Sequence, residues 1–369
     1  MRKVLILTSY ASPYKVEFFD ELGKYTKLTV LFSEKKEEQS HRDGDWFVQE
    51  KGNYQTVQLE KALLKLKNQK FCTDVFPWLK KDFDDIIIAG YSSPTAAAAI
   101  LYLKLHRIPF YMEVDGGLIR EDSPLQYRLK KFLVSAASQW ISSGSFSTQY
   151  LTHYGAEAEK THNYPFTSLW EKDIRREIPT GEEKEKLRQK LSLPEKKIIL
   201  FVGRFTEEKG MDVLLHAAPR LDEDTGIGFV GVEPTEAHLE FCRKHHLDRL
   251  HFTGFHKKQE LAEYYQAADL LVLPTKSDVW GLVINEAMAM GLPVITTDRC
   301  GAGLELVRDG VNGYLVPVGD GAALEQRILE TLRGDYEAMG RNALETIRPY
   351  TIENMTKVHV DILEGRDGV

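Results

Sequence analysis

The sequence predicts an α/β protein built of two doubly wound parallel-sheet domains in tandem. Three observations carry that expectation. Short aliphatic or β-branched runs alternate with longer helical patterns from end to end, as βαβ units require. The 369 residues suit two domains of roughly 150 residues each. A charged stretch at 168–195, poor in aromatics and broken by Pro179, Gly181 and Pro194, divides the first run of the alternation from the second.

Taken in order, strands are expected at 3–7, 28–32, 54–59, 85–89, 110–114 and 139–142, each a short apolar run. Helical stretches such as 13–23 and 94–106 lie between them, and each opens with a proline at a tolerated first-turn position. The first domain is expected over 1–170 and an interdomain linker over 171–194. The alternation restarts with strands at 198–202, 227–232, 250–253, 270–273, 294–297 and 314–316, so a second domain is expected over 195–345. The last helix, 346–369, is expected to cross back to the first domain. Ligands of open parallel sheets sit outside the carboxyl ends of the strands, so the strand-end loops are where chemistry is sought.

Composition narrows the function classes. With 43% apolar and 28% charged residues the chain is an ordinary globular protein, not a disordered one. Its longest apolar runs, 198–202 and 270–273, fall far short of the ~20 residues that cross a bilayer. The apolar start, Val4 to Leu7, is too short for a signal peptide, so a cytoplasmic location is expected. Cys72, Cys242 and Cys300 are odd in number and far apart, which suits buried thiols and neither a disulfide frame nor a zinc site. The formal charge of −7 is uneven: residues 1–170 hold 22 Lys and Arg against 20 Asp and Glu, and the remainder 26 against 35. Nucleic acid is not expected as a partner of such a chain.

Two segments carry candidate chemistry. Gly203-Arg204-Phe205-Thr206-Glu207-Glu208-Lys209-Gly210 leaves a strand and enters a helix. Cations in a helix's first turn oppose its dipole, so Arg204 and Lys209 make better sense if they share an anion with the free backbone N–H groups. The plainer alternative is a solvated loop. The second segment runs from Pro274 to Val294 and holds two carboxylates eight positions apart, Asp278 in a loop and Glu286 one turn inside a helix that Gly281 and Leu282 begin. Ionised carboxylates offer only acceptors, which suits the paired donors of a sugar or ribose diol. Alternatively Asp278 caps the helix and Glu286 is merely solvated.

Together these segments resemble the retaining GT-B glycosyltransferases, specifically glycosyltransferase family 4. The likeness lies in the order Gly-Arg-x-x-x-x-Lys-Gly, then acid-x7-Glu within Pro-Thr-x-x-x-x-x-Gly-Leu-x-x-x-Glu-Ala-Met-Ala-x-Gly-x-Pro-Val. Phe252-Thr253-Gly254-Phe255 and the stretch from Gly301 to Pro317 support it, and the match covers most of 198–318. The resemblance implies a GT-B fold, two Rossmann-like domains facing across a cleft. It implies a nucleotide-diphosphate sugar donor, UDP-linked, held by the second domain, and a saccharide or lipid-linked saccharide acceptor held by the first. Arg204 and Lys209 match residues that bind the donor diphosphate, and Glu286 matches the glutamate that takes the ribose hydroxyls. Gly203, Gly254, Phe255, Gly281 and Leu282 are carried over as donor-binding positions. Asp278 stands where the family usually has Glu, and its carboxylate is one methylene shorter. Many relatives carry a His after the strand at 110–114; here Glu113 and Asp115 are the nearby polar residues, and Asp115 in Asp115-Gly116-Gly117 is a catalytic candidate or a simple turn. No cofactor and no metal are expected, since placed cations stabilise the departing diphosphate.

Other patterns carry less. Gly226-Ile227-Gly228-Phe229-Val230-Gly231 fits a dinucleotide fingerprint, but its glycines lie before and within a strand. Asp82, Asp84 and Asp85 precede their strand, the wrong end for a ligand. His245-His246, or His238 with Cys242, lack a third metal ligand at convincing spacing. Leu125, Leu129, Phe132, Leu133 and Ala136 recur at helix spacing beside Arg128, Lys130 and Lys131. They read either as a helix lying on an anionic membrane or as a core-facing amphipathic helix. The expected function is retaining transfer of a sugar in bacterial surface polysaccharide synthesis, such as capsule or lipopolysaccharide, at the inner face of the cell membrane. A nucleotide-sugar 2-epimerase and a non-catalytic nucleotide-sugar sensor are the alternatives.

Overall fold

A computed structural model describes residues 1–34, 52–66 and 69–366 of the chain. Its contacts divide these into two compact units, 1–168 with 350–366, and 169–349.

In the first unit the chain runs β1 (Lys3–Thr8), α1 (Pro13–Leu22), β2 (Lys27–Phe32), β3 (Gln55–Gln58), β4 (Ala62–Leu66), β5 (Gln69–Cys72) and α2 (Phe76–Leu79). It continues through β6 (Asp85–Ala89), α3 (Pro94–Leu105), β7 (Tyr111–Val114), α4 (Pro124–Val134), β8 (Gln139–Ser142), α5 (Ser145–His153) and β9 (Thr161–Asn163). Seven of these strands form one parallel sheet in the order β3-β2-β1-β6-β7-β8-β9. The central strands are covered on both faces, which is why β1 reads as an uninterrupted Val-Leu-Ile-Leu run instead of alternating. Two helix starts are fastened locally: Ser93 accepts from the Ala96 N–H at 3.1 Å, and Ser123 and Gln126 close a capping box ahead of α4.

The second unit holds α6 (Gly181–Leu191), β10 (Lys197–Val202), α7 (Met211–Ala217), β11 (Thr225–Val230), α8 (Glu236–His245), β12 (Leu250–Thr253), α9 (Lys258–Ala267) and β13 (Leu270–Leu273). Then come α10 (Leu282–Ala289), β14 (Val294–Thr297), α11 (Gly301–Leu306), β15 (Gly313–Val316), α12 (Gly321–Arg333) and α13 (Tyr336–Ile347). Its six-stranded parallel sheet runs β12-β11-β10-β13-β14-β15. The last helix, α14 (Ile352–Leu363), belongs to the first unit and packs on α1, burying Ile352, Met355, His359, Ile362 and Leu363.

Three features differ from the expectation. The stretch 171–194 holds a helix that groups with the second unit: α6 is fastened by a Thr180–Glu183 capping box and packs on α9. Its charges have a structural task, since Lys184 and Arg188 hold the buried carboxylate of Asp269 at 2.7 and 2.5 Å. The antiparallel pair β4–β5 and the three-residue edge strand β9 were not among the expected strands. On α4, Leu133 and Val134 face the core, but Leu125, Leu129 and Phe132 are 77, 57 and 46% exposed. That excludes a wholly core-facing stripe. Asp85, in contrast, closes a two-bond clamp with Arg2 at 2.7 and 3.0 Å, at the amino end of the first sheet.

Candidate functional site

The second sheet fixes where a ligand would bind in that unit. From β10 the chain steps outward to β11 and β12, then returns beside β10 as β13 and steps out the other way. Loops leaving β10 and β13 therefore diverge at a topological switch point, the place where open parallel sheets take ligands. Those loops are 203–210 and 274–281, the two segments singled out from sequence.

Their close approach depends on Gly210. It sits at φ +68°, and a side chain there would place its Cβ 1.9 Å from the Pro274 carbonyl oxygen. The loops are also tied by polar bonds: Glu208 O accepts from the Lys276 N–H and from Thr275 Oγ1, both at 2.7 Å. Lys276 Nζ reaches Glu207 at 2.6 Å and holds that carboxyl below its ordinary range.

At this junction Lys209 Nζ donates to Asp278 Oδ2. Both side chains are partly exposed, so the pair lies at the mouth of the loops. Asp278 is held in turn by backbone bonds, its N–H to Arg299 O at 2.9 Å and its carbonyl accepting from Gly301 N at 3.2 Å. Gly281, at φ +99°, lets the turn pass Cys300, since a Cβ there would lie 2.8 Å from the Cys300 sulfur. Burial, aided by the Asp278 charge, pushes the Cys300 thiol up to about 12, so it is an inert packing group. Arg204 is exposed and has no side-chain partner among the described residues. Leu282 opens α10, and one turn on, Glu286 Oε2 accepts from the buried Tyr265 hydroxyl at 2.9 Å. Burial, and then the Glu286 charge, raise the Tyr265 phenol far above its ordinary value, so it remains a donor that orients the carboxylate. Gly203 follows β10 directly; Gly254 and Phe255 follow β12 at the same sheet edge, with Gly254 O accepting from the Gly231 N–H at 3.1 Å and the Phe255 ring exposed.

Asp115 belongs to the first unit, just beyond β7. It takes Lys15 Nζ at 2.9 Å on one oxygen and the Tyr164 hydroxyl at 3.1 Å on the other. Burial alone would lower the Lys15 ammonium, but the Asp115 charge overcomes it and the net shift is upward. Lys15 is therefore an ammonium. Sequence reasoning overlooked Lys15, Tyr164 and Tyr265. For Lys15 the signal was present, a cation in the first turn of a helix after a strand, the same signal that marked Lys209. Tyr164 and Tyr265 carry no local mark.

Residues 183–346 match the family described as Glycosyl transferases group 1. That match falls within the second unit. A D-inositol 3-phosphate glycosyltransferase of Streptomyces bingchenggensis is 33% identical over 220 residues, 55% of this chain and 47% of the relative. The chain spans about half the length of the curated relatives it matches. Solved structures share the fold along the whole chain. Anabaena Alr3699/HepE in complex with UDP superposes with a TM-score of 0.73 at 18% identity, covering 98% of this chain and 100% of that one. The lipopolysaccharide outer core galactosyltransferase WaaB gives a TM-score of 0.73 at 14% identity, covering 99% and 100%. The fold is therefore the two-sheet GT-B architecture.

Proposed function

We propose that the protein is a retaining glycosyltransferase of family 4 that takes a sugar from a UDP-linked donor and passes it to a saccharide or lipid-linked saccharide. One observation carries the reading: the loops after β10 and β13 meet at the switch point with Lys209, its carboxylate partner Asp278, the exposed guanidinium of Arg204 and the tyrosine-anchored Glu286 on the same edge. Arg204 and Lys209 would hold the diphosphate and stabilise the charge that develops as it leaves. Glu286 would accept from the ribose hydroxyls, and Gly203, Gly254, Phe255, Gly281 and Leu282 line the donor loops. The leaving diphosphate can take the acceptor proton on the same face of the sugar, so no strong protein base, metal or cofactor is needed. In the first unit, Asp115 would be the polar group available to a sugar hydroxyl. HepE, solved with UDP, supports a uridine donor, and WaaB supports a place in surface polysaccharide synthesis.

The exposed Leu125, Leu129 and Phe132, beside Arg128 and Lys131, further favour a protein that rests on an anionic membrane and meets a lipid-linked acceptor at its cytoplasmic face. The test of the transfer reading is a mass-spectrometric screen of nucleotide sugars for released nucleoside diphosphate, with and without bacterial glycolipid. Release of UDP from one donor, raised by glycolipid, is the expected result. No release from any donor, or interconversion of a nucleotide sugar with its 2-epimer, would overturn it.

A further inference from the structure

The helix that returns to the first unit buries a titratable group against that unit's sheet. His359 of α14 is wholly buried, its ring 4.7 Å from that of Phe18 on α1 and 4.6 Å from that of Tyr164, which follows β9. Its Nδ1 lies 2.8 Å from the Met355 carbonyl, which can only accept, so Nδ1 carries a proton and donates it. The other ring nitrogen, Nε2, has no hydrogen-bond partner and lies 3.7 Å from Glu113 Oε1 of β7. The Glu113 side chain is 8% exposed and makes no hydrogen bond among the described residues. Glu113, Tyr164 and Met355 line a cavity of about 10 Å³, room for one water at most, so bulk solvent does not hydrate the pair from that side.

Protonation decides whether this contact attracts or repels. With Nε2 bare, its lone pair meets a carboxylate, and two acceptors stand against each other out of water. One added proton removes the conflict, whether it stays on Nε2 opposite the carboxylate or sits on Glu113 and is donated to Nε2. Counting charge leads to the same place. The titratable groups around the contact are Tyr14 and Lys15 of α1, Asp115 beyond β7 and Tyr164. Lys15 and Asp115 pair with each other at 2.9 Å, and burial raises both phenols far above their ordinary value, so they stay neutral. Among these groups only His359 is placed to offset the Glu113 carboxylate. We propose that the Glu113–His359 contact is a proton-operated latch, through which α14 docks on the first unit with uptake of one proton from solvent and is released as pH rises. Because α14 packs on α1, and α1 carries Lys15 in its first turn, release also loosens the support of Asp115. The latch concerns the first unit alone and does not rest on the transferase reading.

The sign follows from counting protons. A free imidazole gives up its second proton at about pH 6.5, so above that value the docked state holds a proton that the undocked state lacks. Docking therefore weakens as pH rises, by at most about tenfold per pH unit for one proton. Hydrogen exchange on the full chain between about pH 7 and pH 8.5, expressed as protection relative to the intrinsic rate at each pH, reads this directly. Protection of α14 should fall at least fivefold over that range while β10 to β15 change less than twofold. His359→Gln presents an amide donor that does not titrate, and Glu113→Gln leaves no carboxylate to neutralise. In each variant the change in α14 should shrink to less than twofold. Protection of α14 that stays level in the wild type, an equal fall in both sheets, or a pH dependence that survives in either folded variant would overturn the latch. The comparison of α14 with β10 to β15 is made on the wild-type protein, so it decides the matter even where a variant fails to fold.

Discussion

Lys209 is engaged by the Asp278 carboxylate, and on the proposed function this decides how its neighbours respond to substitution. Arg204→Ala and Lys209→Ala each remove a placed cation and should each lower turnover about 10²-fold or more, with circular dichroism unchanged because both side chains sit in a strand-end loop. Wild-type turnover at saturating donor in either folded variant would remove the diphosphate role. Glu286→Gln should weaken UDP and the intact donor alike, since the ribose is common to both. Asp278→Asn should behave differently. A bound diphosphate would compete with Asp278 for Lys209, so removing that charge should tighten UDP by roughly threefold, in line with the ~1 kcal/mol or less of a partly exposed ion pair. Turnover should nevertheless fall, because Lys209 loses the partner that orients it. Isothermal titration with UDP and donor separates these outcomes, and a UDP loss in Asp278→Asn equal to that in Glu286→Gln would contradict the assignment.

At the scale of elements, the strand-end loop before α7 depends on one residue. Gly210→Ala combines a left-handed backbone with a Cβ driven into the Pro274 carbonyl. Gly310 shares the left-handed backbone, at φ +72°, but has open space around it. Gly310→Ala should therefore cost roughly 1–2 kcal/mol. Gly210→Ala should cost more and lower activity as well, because the loop from β10 must withdraw from that of β13. Denaturant melts of the two variants give the comparison, and equal losses would show that the close approach is not what requires glycine. Helix α4 makes a second prediction. Its solvent-facing Leu125, Leu129 and Phe132, with Lys104 of α3 lying 4.1 Å over the Phe132 ring, should sediment with anionic liposomes and not with neutral ones. Salt that screens Arg128 and Lys131 should weaken the attachment. Leu129→Asp should abolish it; equal failure of the wild type to bind either liposome would remove the membrane from the proposed function.

Across the whole molecule, the chain leaves the first unit, builds the second and returns, so the last helix stabilises residues far from it in sequence. Ending the chain at residue 349 strips α14 from α1 and uncovers the contacts of Ile352, Met355, Ile362 and Leu363, each worth roughly 1.5–3 kcal/mol when fully buried. Hydrogen exchange should then accelerate in β1, β2 and α1 while β10 to β15 keep their protection. Equal acceleration in both sheets would mean that the two units do not divide where the contacts place them.

The sequence by itself determined the alternation of strand and helix, because a strand buried on both faces must be an unbroken apolar run such as Val4 to Leu7 or Leu270 to Leu273. It also made the two candidate loops legible, since their glycines, cations and carboxylates are contiguous at strand ends. What it could not determine lies in pairings between distant residues. The charges of α6 are indistinguishable from a solvated linker until Asp269 is placed beneath them, and Glu286 is an ordinary helical glutamate until Tyr265 reaches it. The apolar stripe of α4 has the same spacing whether it faces core or solvent; only the packing of α3 and α4 left Leu125 and Leu129 outside. Glu113 and His359 stand 246 residues apart in sequence, and the return of α14 brings them within 3.7 Å. Periodicity reports the environment of a residue's own segment, whereas a site is made by side chains that only the tertiary fold brings together.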